Sequence, residues 1–224
     1  QTRQRDQILF VMTPGSPAIH TAAHIGLIIE GAQQEAAARD LRFEVCRQPL
    51  RALIRELKSQ QRERLLGVAL EWYERNVAEA LLAEGVPTTL VEYYHEGLMQ
   101  DCITQDNIHG THLAVRHLWN LGHRRIGMLA RASGYGGFHS TARRAAFVTG
   151  LLQFGQVEPA AIGQSERFDA EGGRESARLL LDLPRPPTAL VLAHLEMGAG
   201  LFDALAARGL TPGADVSVVA WGTP

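Results

Sequence analysis

Short apolar runs alternate with longer amphipathic stretches along most of this chain. Runs of four to six apolar residues without polar alternation are typical of strands that are covered on both faces. Strictly alternating strands and helices predict parallel sheets flanked by helices, so we expect an α/β fold. The predicted strands are Ile8–Met12, Leu41–Cys46, Leu65–Leu70, Thr88–Glu92, Arg125–Ala130, Glu166–Phe168, Thr188–Ala193 and Val216–Trp221.

The predicted helices lie between these strands and carry recognisable start and stop signals. Asp106 or Asn107 can cap a helix that Gly122 ends, with Leu118 and Leu121 facing the core. Ser140 or Thr141 is expected to cap the next helix. The remaining predicted helices follow Ile8–Met12 with an apolar face from Ile25 to Ala36, and then cover Arg51–Arg64, Asn76–Ala83, Glu171–Leu181 and Met197–Arg208.

The irregular segment Tyr93–Gln105 separates two similar series of alternating strands and helices. Eight strands could form one broad sheet or two lobes of four. We favour two Rossmann-like lobes, an N-terminal lobe over 1–104 and a C-terminal lobe over 105–224, with a crossover at the irregular segment.

Composition and charge exclude several classes of protein. Apolar residues make up 46% and charged residues 21%, which excludes a disordered tail, a collagen-like fibre and a disulfide scaffold. The net charge is -2, Lys58 is the only lysine, and no basic run exceeds two residues, so the chain lacks the footprint of a stand-alone nucleic-acid binder. Cys46 and Cys102 are expected to be reduced thiols of a cytoplasmic protein. No apolar stretch reaches the length of a membrane span.

Ligands of open α/β sheets bind beyond the carboxyl ends of the strands, so the strand-to-helix turns hold the candidate residues. Arg143 is expected in the first turn of its helix, where a cation opposes the helix dipole. A guanidinium directed at a ligand explains that position, and a solvated arginine is the alternative. The candidates suit a small polar ligand: Ser16, Glu92, Arg131, Arg143, Phe168, Asp169, His194 and Trp221.

No convincing catalytic, metal or cofactor site is found in the sequence. His109 and His112 could share a helix face, but no carboxylate or cysteine joins them at ligand spacing. The glycine-rich turn Ser133–Gly137 lacks the Lys-Ser/Thr of a phosphate loop, so it is expected to be a flexible loop at the mouth of a pocket. We therefore expect a binding protein and not an enzyme.

Five segments in order resemble the LacI/GalR family of bacterial regulators. The first two carry the patterns DN..G and HL..LGHRRI, and the other three match the patterns S..R..GF, PTA and D-[VI]-S-V-V. The resemblance covers essentially the whole chain and is specific in combination. The segments are Asp106–Gly110, His117–Ile126, Ser140–Phe147, Pro187–Ala189 and Asp215–Val219.

The resemblance implies a fold like a type I periplasmic binding protein, with two lobes around an effector cleft. It also implies a homodimer whose effector, a sugar, sugar phosphate or related metabolite, shifts the spacing of two DNA-binding heads and so the affinity for operator DNA. The helix-turn-helix domain would precede Gln1–Asp6, which looks like a linker. The family's domain also continues beyond the strand at Trp221, so a C-terminal segment is expected outside this chain.

The resemblance assigns roles to individual positions. Arg143 matches an effector-contacting arginine, Phe168 a stacking aromatic residue, and Glu92 an acidic position usually held by aspartate. Two acids that commonly hold sugar hydroxyls are replaced, by Leu195 and by Gly222, so we expect an anionic, phosphorylated or partly aromatic effector, or a sugar held in an unusual way. The predicted effector-binding set is Ser16, Glu92, Asp106, Arg143, Phe168, His194 and Trp221.

Three other functions remain open from the sequence. A solute-binding protein of a transport system would share the fold and the cleft, but such proteins lack the LGHRRI pattern. An enzyme would need a phosphate loop or a carboxylate pair. A regulator that senses no small molecule is the third alternative, because two acids of the expected site are missing.

Overall fold

The computed structural model describes residues 6–12, 23–47, 52, 55, 65–71, 75–92, 94, 97–132, 138–155 and 161–222. Contacts divide the chain into two compact units, Gln1–Gln105 and Asp106–Pro224, which we call unit 1 and unit 2. Parallel strands alternate with helices in both units, so the predicted α/β fold with two parallel sheets is confirmed. None of the helices in these ranges has the length and hydropathy of a membrane span.

Unit 1 is a parallel sheet with helices on both faces. Alternate residues of its first strand point to opposite sides, since Leu9 and Val11 pack with Val77 while Phe10 and Met12 pack with Ile25. The strand order is β2-β1-β3-β4-β5. Its elements are β1 (Gln7–Met12), α1 (Ala23–Ala38), β2 (Arg42–Cys46), β3 (Leu65–Glu71), α2 (Arg75–Ala83), β4 (Thr88–Val91) and β5 (Asp101–Ile103).

Unit 2 repeats this layered arrangement with strand order β7-β6-β8-β9. Met128 packs with Phe147 on one face of the sheet, and Leu129 packs with Leu180 on the other. Its helices are α3 (Asn107–Asn120), α4 (Phe138–Leu152), α5 (Ala170–Leu181) and α6 (Gly198–Ala206), with a 3-10 turn at Leu195–Met197. Its strands are β6 (Ile126–Arg131), β7 (Ile162–Ser165), β8 (Ala189–Leu192) and β9 (Ser217–Ala220).

Each sheet has a point where the strand order reverses. In unit 1 it lies between β1 and β3, and in unit 2 between β6 and β8. From the first strand of each pair the next strand is added on one side of the sheet, and the later strands are added on the other side. The carboxyl ends of two strands at such a point leave a crevice that suits a ligand. The residues that end these four strands are therefore the first to inspect for function.

Two strand predictions were wrong. β5 lies inside the segment Tyr93–Gln105 that was expected to be irregular, and its exposed residues Asp101–Ile103 give no apolar signal. The strand expected at Glu166–Phe168 instead occupies Ile162–Ser165. A Cβ on Gly163 would overlap the carbonyl group of Ser176 in α5, so close packing replaces the usual apolar run with small and polar residues.

The ends of α3 follow the sequence signals. The Asp106 carboxylate accepts a hydrogen bond from the backbone N–H of His109 at 2.9 Å and caps the helix. Gly122 has a φ of 96° and ends it. Leu118 is buried as expected, but Leu121 is 61% exposed, because it lies at the helix cap after the last buried turn.

Three further predictions concern local segments. The helix α4 begins at Phe138, so Ser140 does not cap it; its hydroxyl donates to the carbonyl oxygen of Arg131 at 3.1 Å instead. Most of the helix predicted at Arg51–Arg64 lies outside the described residues, as does the glycine-rich turn Ser133–Gly137.

The crossing of α5 and α6 depends on Gly200. A Cβ there would overlap the carbonyl oxygen of Ala170, whereas a Cβ on Gly198 would meet only a side-chain atom of Leu192, at 3.7 Å. Gly200→Ala should therefore lower the free energy of unfolding by about 2–3 kcal/mol through overpacking. Gly198→Ala is the matched control and should change it little. Urea unfolding measures both, and equal effects of the two variants would contradict this packing.

Candidate functional site

A buried arginine lies at the carboxyl edge of the unit 2 sheet. Arg143 is only 5% exposed, although it carries a full positive charge. Its Nε donates to Oδ1 of Asn107 at 2.8 Å, and its Nη1 donates to the carbonyl oxygen of Ala193, directly after β8. The guanidinium carbon lies 4.2 Å from the centre of the Trp221 ring, a cation–π contact.

The position of Arg143 in its helix differs from the expectation. Since α4 begins at Phe138, Arg143 lies in the second turn and not in the first. The unfavourable dipole argument therefore does not apply. Burial is the stronger signal, because a charged side chain is almost never buried unless polar groups solvate it.

Trp221 is fixed by contacts on several sides. Its Nε1 donates to Oγ1 of Thr111 at 3.2 Å, and its backbone bonds to Leu192 and Leu195. A Cβ on Gly110 would lie 2.5 Å from Cζ2 of the indole, so the glycine leaves the space that the ring fills. The glycine of the DN..G pattern thus has a direct packing reason in this chain.

Two further aromatic rings belong to this surface: Phe168, which follows β7, and His194, which follows β8. The guanidinium carbon of Arg131 lies 5.3 Å from the centre of the Phe168 ring, and its Nε donates to the carbonyl oxygen of Glu166. The Phe168 and His194 rings are 6.1 Å apart. We call the five side chains the Arg143 cluster: Arg131, Arg143, Phe168, His194 and Trp221.

The pKa of His194 shows the electrostatic environment of this cluster. Burial, followed by the positive charge of Arg143, lowers the pKa of His194 to about 3, with His139 and Arg131 adding to the effect. Its Nε2 is buried and has no hydrogen-bond partner. A neutral imidazole in a positive environment, with one nitrogen unsatisfied, is suited to hydrogen-bond a ligand.

Three other residues were predicted for the site: Ser16, Asp106 and Glu92. Ser16 is outside the described residues. Asp106 is exposed, and one of its carboxylate oxygens caps α3. Glu92 belongs to unit 1, where it is 6% exposed and has a φ of 67°. The structure therefore brings together Arg143, Phe168, His194 and Trp221.

Sequence reasoning missed two residues that matter. Asn107 was considered only as a helix cap, but its side chain accepts from Arg143 and its Nδ2 lies 3.0 Å from Nδ1 of His139. Glu71 was not considered, because the predicted strand stopped at Leu70. A carboxylate directly after a wholly apolar run was the available signal for Glu71.

Comparison with known proteins supports one family. A family model described as a periplasmic binding protein-like domain matches residues 115–224. An uncharacterized HTH-type transcriptional regulator of Streptomyces limosus is 34% identical over 142 residues, which cover 62% of this chain and 39% of that protein. The lactose operon repressor of Escherichia coli is 25% identical over 99% of this chain and 61% of its own length. The matched part of the chain is a periplasmic binding protein-like domain, and its relatives are transcriptional regulators.

Solved structures agree on the fold. A LacI-family regulatory protein from Chloroflexus aggregans superposes with a TM-score of 0.82 at 22% identity, over 96% of this chain and 77% of that one. The chain thus spans less than two thirds of each of the two relatives described above, while 96% of it superposes on this structure. These relatives are regulators, so a solute-binding protein of a transport system is not favoured.

The two positions at which the resemblance predicts acids hold Leu195 and Gly222 in this chain, and these two residues lie in contact. A Cβ on Gly222 would lie 2.5 Å from Cβ and 3.0 Å from Cδ2 of Leu195. Leu195 therefore occupies the space that a side chain at 222 would need. Leu195 and Gly222 thus form one apolar contact, and an acid introduced at one of these positions alone would not give an acidic pair.

The lowered pKa of His194 predicts a stability effect in acid. The unfolded chain takes up this proton near pH 6.5, whereas the folded chain stays neutral until about pH 3, so stability falls as the pH drops through this window. His194→Asn removes the titration. Relative to this variant, the unmodified chain should lose about 1 kcal/mol between about pH 7.5 and pH 5.5.

Urea unfolding at the two pH values measures this difference. His109→Asn makes the same substitution at an exposed position of α3; it is the matched control and should leave the free energy of unfolding at pH 7.5 unchanged. An unmodified chain and a His194→Asn variant with parallel pH profiles would contradict the buried, neutral state of His194.

Proposed function

We propose that this chain is the effector-binding part of a transcriptional regulator, and that its effector carries an anionic group. The observation that carries the proposal is the Arg143 cluster, where two guanidinium groups and neutral His194 meet at the point of strand-order reversal in unit 2. In this proposal the ligand is bound and released without chemical change.

The charges of the cluster select the ligand class. Arg143 and Arg131 both lower the pKa of His194, which means that the positive potential extends over the imidazole. A carboxylate or phosphate placed there gains charge-assisted hydrogen bonds in a largely desolvated environment. A neutral hydroxyl gains less, since Leu195 and Gly222 supply no acceptor carboxylates.

The aromatic rings indicate which chemical group accompanies the anionic group of the ligand. Phe168 and Trp221 present flat apolar faces next to the two guanidinium groups. Such faces stack on the apolar side of a sugar ring or on a planar base. The favoured effectors are therefore sugar phosphates, sugar acids and nucleotide-like metabolites.

The regulatory consequence is a linkage between effector and DNA. We infer that the whole protein acts in the cytoplasm as a homodimer and binds operator DNA through a separate helix-turn-helix domain. An effector that binds two arrangements of the protein with different affinity shifts the balance between them, and with it the affinity for DNA. A regulator that senses no small molecule would show no such linkage.

A thermal-shift screen with matched ligand pairs tests the proposal. Each neutral sugar or nucleoside is compared with its phosphate or its acid. A ligand at a hundred times its dissociation constant adds about 2.7 kcal/mol, or several degrees in Tm for a chain of this size. We expect the anionic member of at least one pair to stabilise the chain and its neutral partner not to.

Variants assign the effect to the cluster. Arg143→Ala should abolish the stabilisation, and Phe168→Leu should weaken it while disturbing the fold less. Arg116→Ala, which removes an exposed arginine of α3, is the matched control and should keep it. Equal stabilisation by neutral and anionic members, or the absence of any hit with a folded chain, would overturn the proposal.

A further inference from the structure

The helices α3 and α4 carry no acidic side chain. No aspartate or glutamate occurs from residue 107 to residue 157, a segment that includes both helices and holds six arginines and five histidines. The rest of unit 2 holds ten acidic residues and five arginines. Because α3 and α4 pack on one face of the sheet and α5 and α6 on the other, positive charge is concentrated on the α3–α4 side.

The arginines on the α3–α4 side lack the carboxylate partners that arginines have on other helices. In α2, Arg75 pairs with Glu79, and in α5, Arg174 pairs with Glu171 and with Asp203 of α6. Within the part of the chain that the structure describes, four arginines of the acid-free segment form no ion pair with a carboxylate: Arg116, Arg124, Arg125 and Arg144. Their positive charge is therefore not compensated by a neighbouring acid.

The outer face of α3 also exposes large apolar side chains. Leu113 is 42% exposed and Leu121 is 61% exposed, and the exposed residues Arg116 and His117 lie between them in the sequence. Residues three or four positions apart are neighbours on a helix surface, so these four side chains form one continuous stripe. A helix face that meets only water is normally covered by polar and charged groups, as in α2 and α5.

An oriented tryptophan lies beside this stripe. The Trp119 ring stacks on the Phe154 ring, with 4.6 Å between the ring centres and an interplanar angle of 12°. The guanidinium carbon of Arg124 lies 4.0 Å from the centre of the Trp119 ring. Tryptophan and arginine are among the residues that contribute most to the binding energy of protein interfaces. We call these six side chains the α3 surface: Leu113, Arg116, His117, Trp119, Leu121 and Arg124.

We propose that the α3 surface binds an acidic, amphipathic segment of a partner protein. Carboxylates of the partner pair with Arg116 and Arg124, and its apolar side chains cover Leu113 and Leu121. Contact with one such segment explains why exposed leucines lie among arginines that have no acidic neighbour. Since α3 has 14 residues and is about 21 Å long, its contact area suits a weak and reversible interaction.

Charge and hydrophobicity together favour this occupant over nucleic acid and over a second copy of the chain. The phosphates of a nucleic acid could pair with the arginines, but they would leave Leu113 and Leu121 without an apolar partner. Two copies joined symmetrically through this surface would place arginine against arginine. A second copy that offered a different, acidic surface would give a ring or an open filament and not a closed dimer.

This inference goes beyond the proposed effector site. The α3 surface lies on the second half of α3 and just after it, whereas the Arg143 cluster is bonded to Asn107 at the start of that helix. The two sets of side chains share no residue. They are tested with different variants and different probes, so a negative result for one leaves the result for the other unchanged.

Fluorescence anisotropy with a labelled synthetic peptide tests the proposal on the unmodified chain. The probe is an amphipathic helical peptide of leucine and glutamate, and the comparison peptide carries glutamine in place of every glutamate. We expect the chain to bind the acidic peptide in the micromolar range and the glutamine peptide about tenfold more weakly. Raising the salt concentration from about 0.05 M to about 0.5 M should reduce this difference, because salt screens exposed charges.

Two variants with matched controls assign the binding to the α3 surface. Arg116→Glu should weaken binding of the acidic peptide about tenfold, whereas Arg178→Glu, which reverses an exposed arginine of α5, should leave it unchanged. Leu121→Ser should weaken it about fivefold, whereas Leu179→Ser, at a position of α5 that is 58% exposed, should not. All four positions are exposed, so the variants are expected to fold.

Four results would overturn the proposal. One is equal binding of the acidic and the glutamine peptide, including binding of neither. Another is an equal effect of the α3 variants and their α5 controls. Duplex DNA that binds more tightly than the acidic peptide, and that Arg116→Glu releases, would assign the surface to nucleic acid. Self-association of the chain in sedimentation experiments, abolished by Arg116→Glu, would assign it to a second copy.

Discussion

The buried guanidinium of Arg143 is the interaction on which the candidate site of unit 2 depends. It connects three parts of the unit, since it donates to Asn107 at the start of α3 and to Ala193 after β8, and stacks on Trp221 after β9. Gly110 makes room for that ring. Removing the guanidinium would therefore disturb both the charge of the site and the packing of its aromatic wall.

Each unit holds an uncompensated polar group at its point of strand-order reversal. In unit 2 it is the buried Nε2 of neutral His194, and in unit 1 it is the carboxyl group of Glu71. Both groups reduce the stability of the folded chain in a particular pH range, His194 in acid and Glu71 towards neutral pH. Ligand binding at the Arg143 cluster is the proposed explanation for the cost at His194.

The fold class could be predicted from the sequence because buried strands such as Ile8–Met12 are continuous apolar runs. β7 could not be placed, since its close packing on α5 requires glycine at 163, which hides the strand signal. Family resemblance pointed to Arg143, but its burial and its stacking on Trp221 join residues far apart in the chain. Glu71 was missed because a polar residue after a strand usually faces solvent.

A crystal structure of the chain with its most strongly stabilising anionic ligand is the most direct test of anion binding by the Arg143 cluster. We expect the acidic group of the ligand to lie within hydrogen-bond distance of Arg143 or Arg131 and of Nε2 of His194. We also expect the ring of the ligand to lie against Phe168 or Trp221. An anion bound elsewhere, with the Arg143 cluster unoccupied, would contradict the proposed role of the cluster.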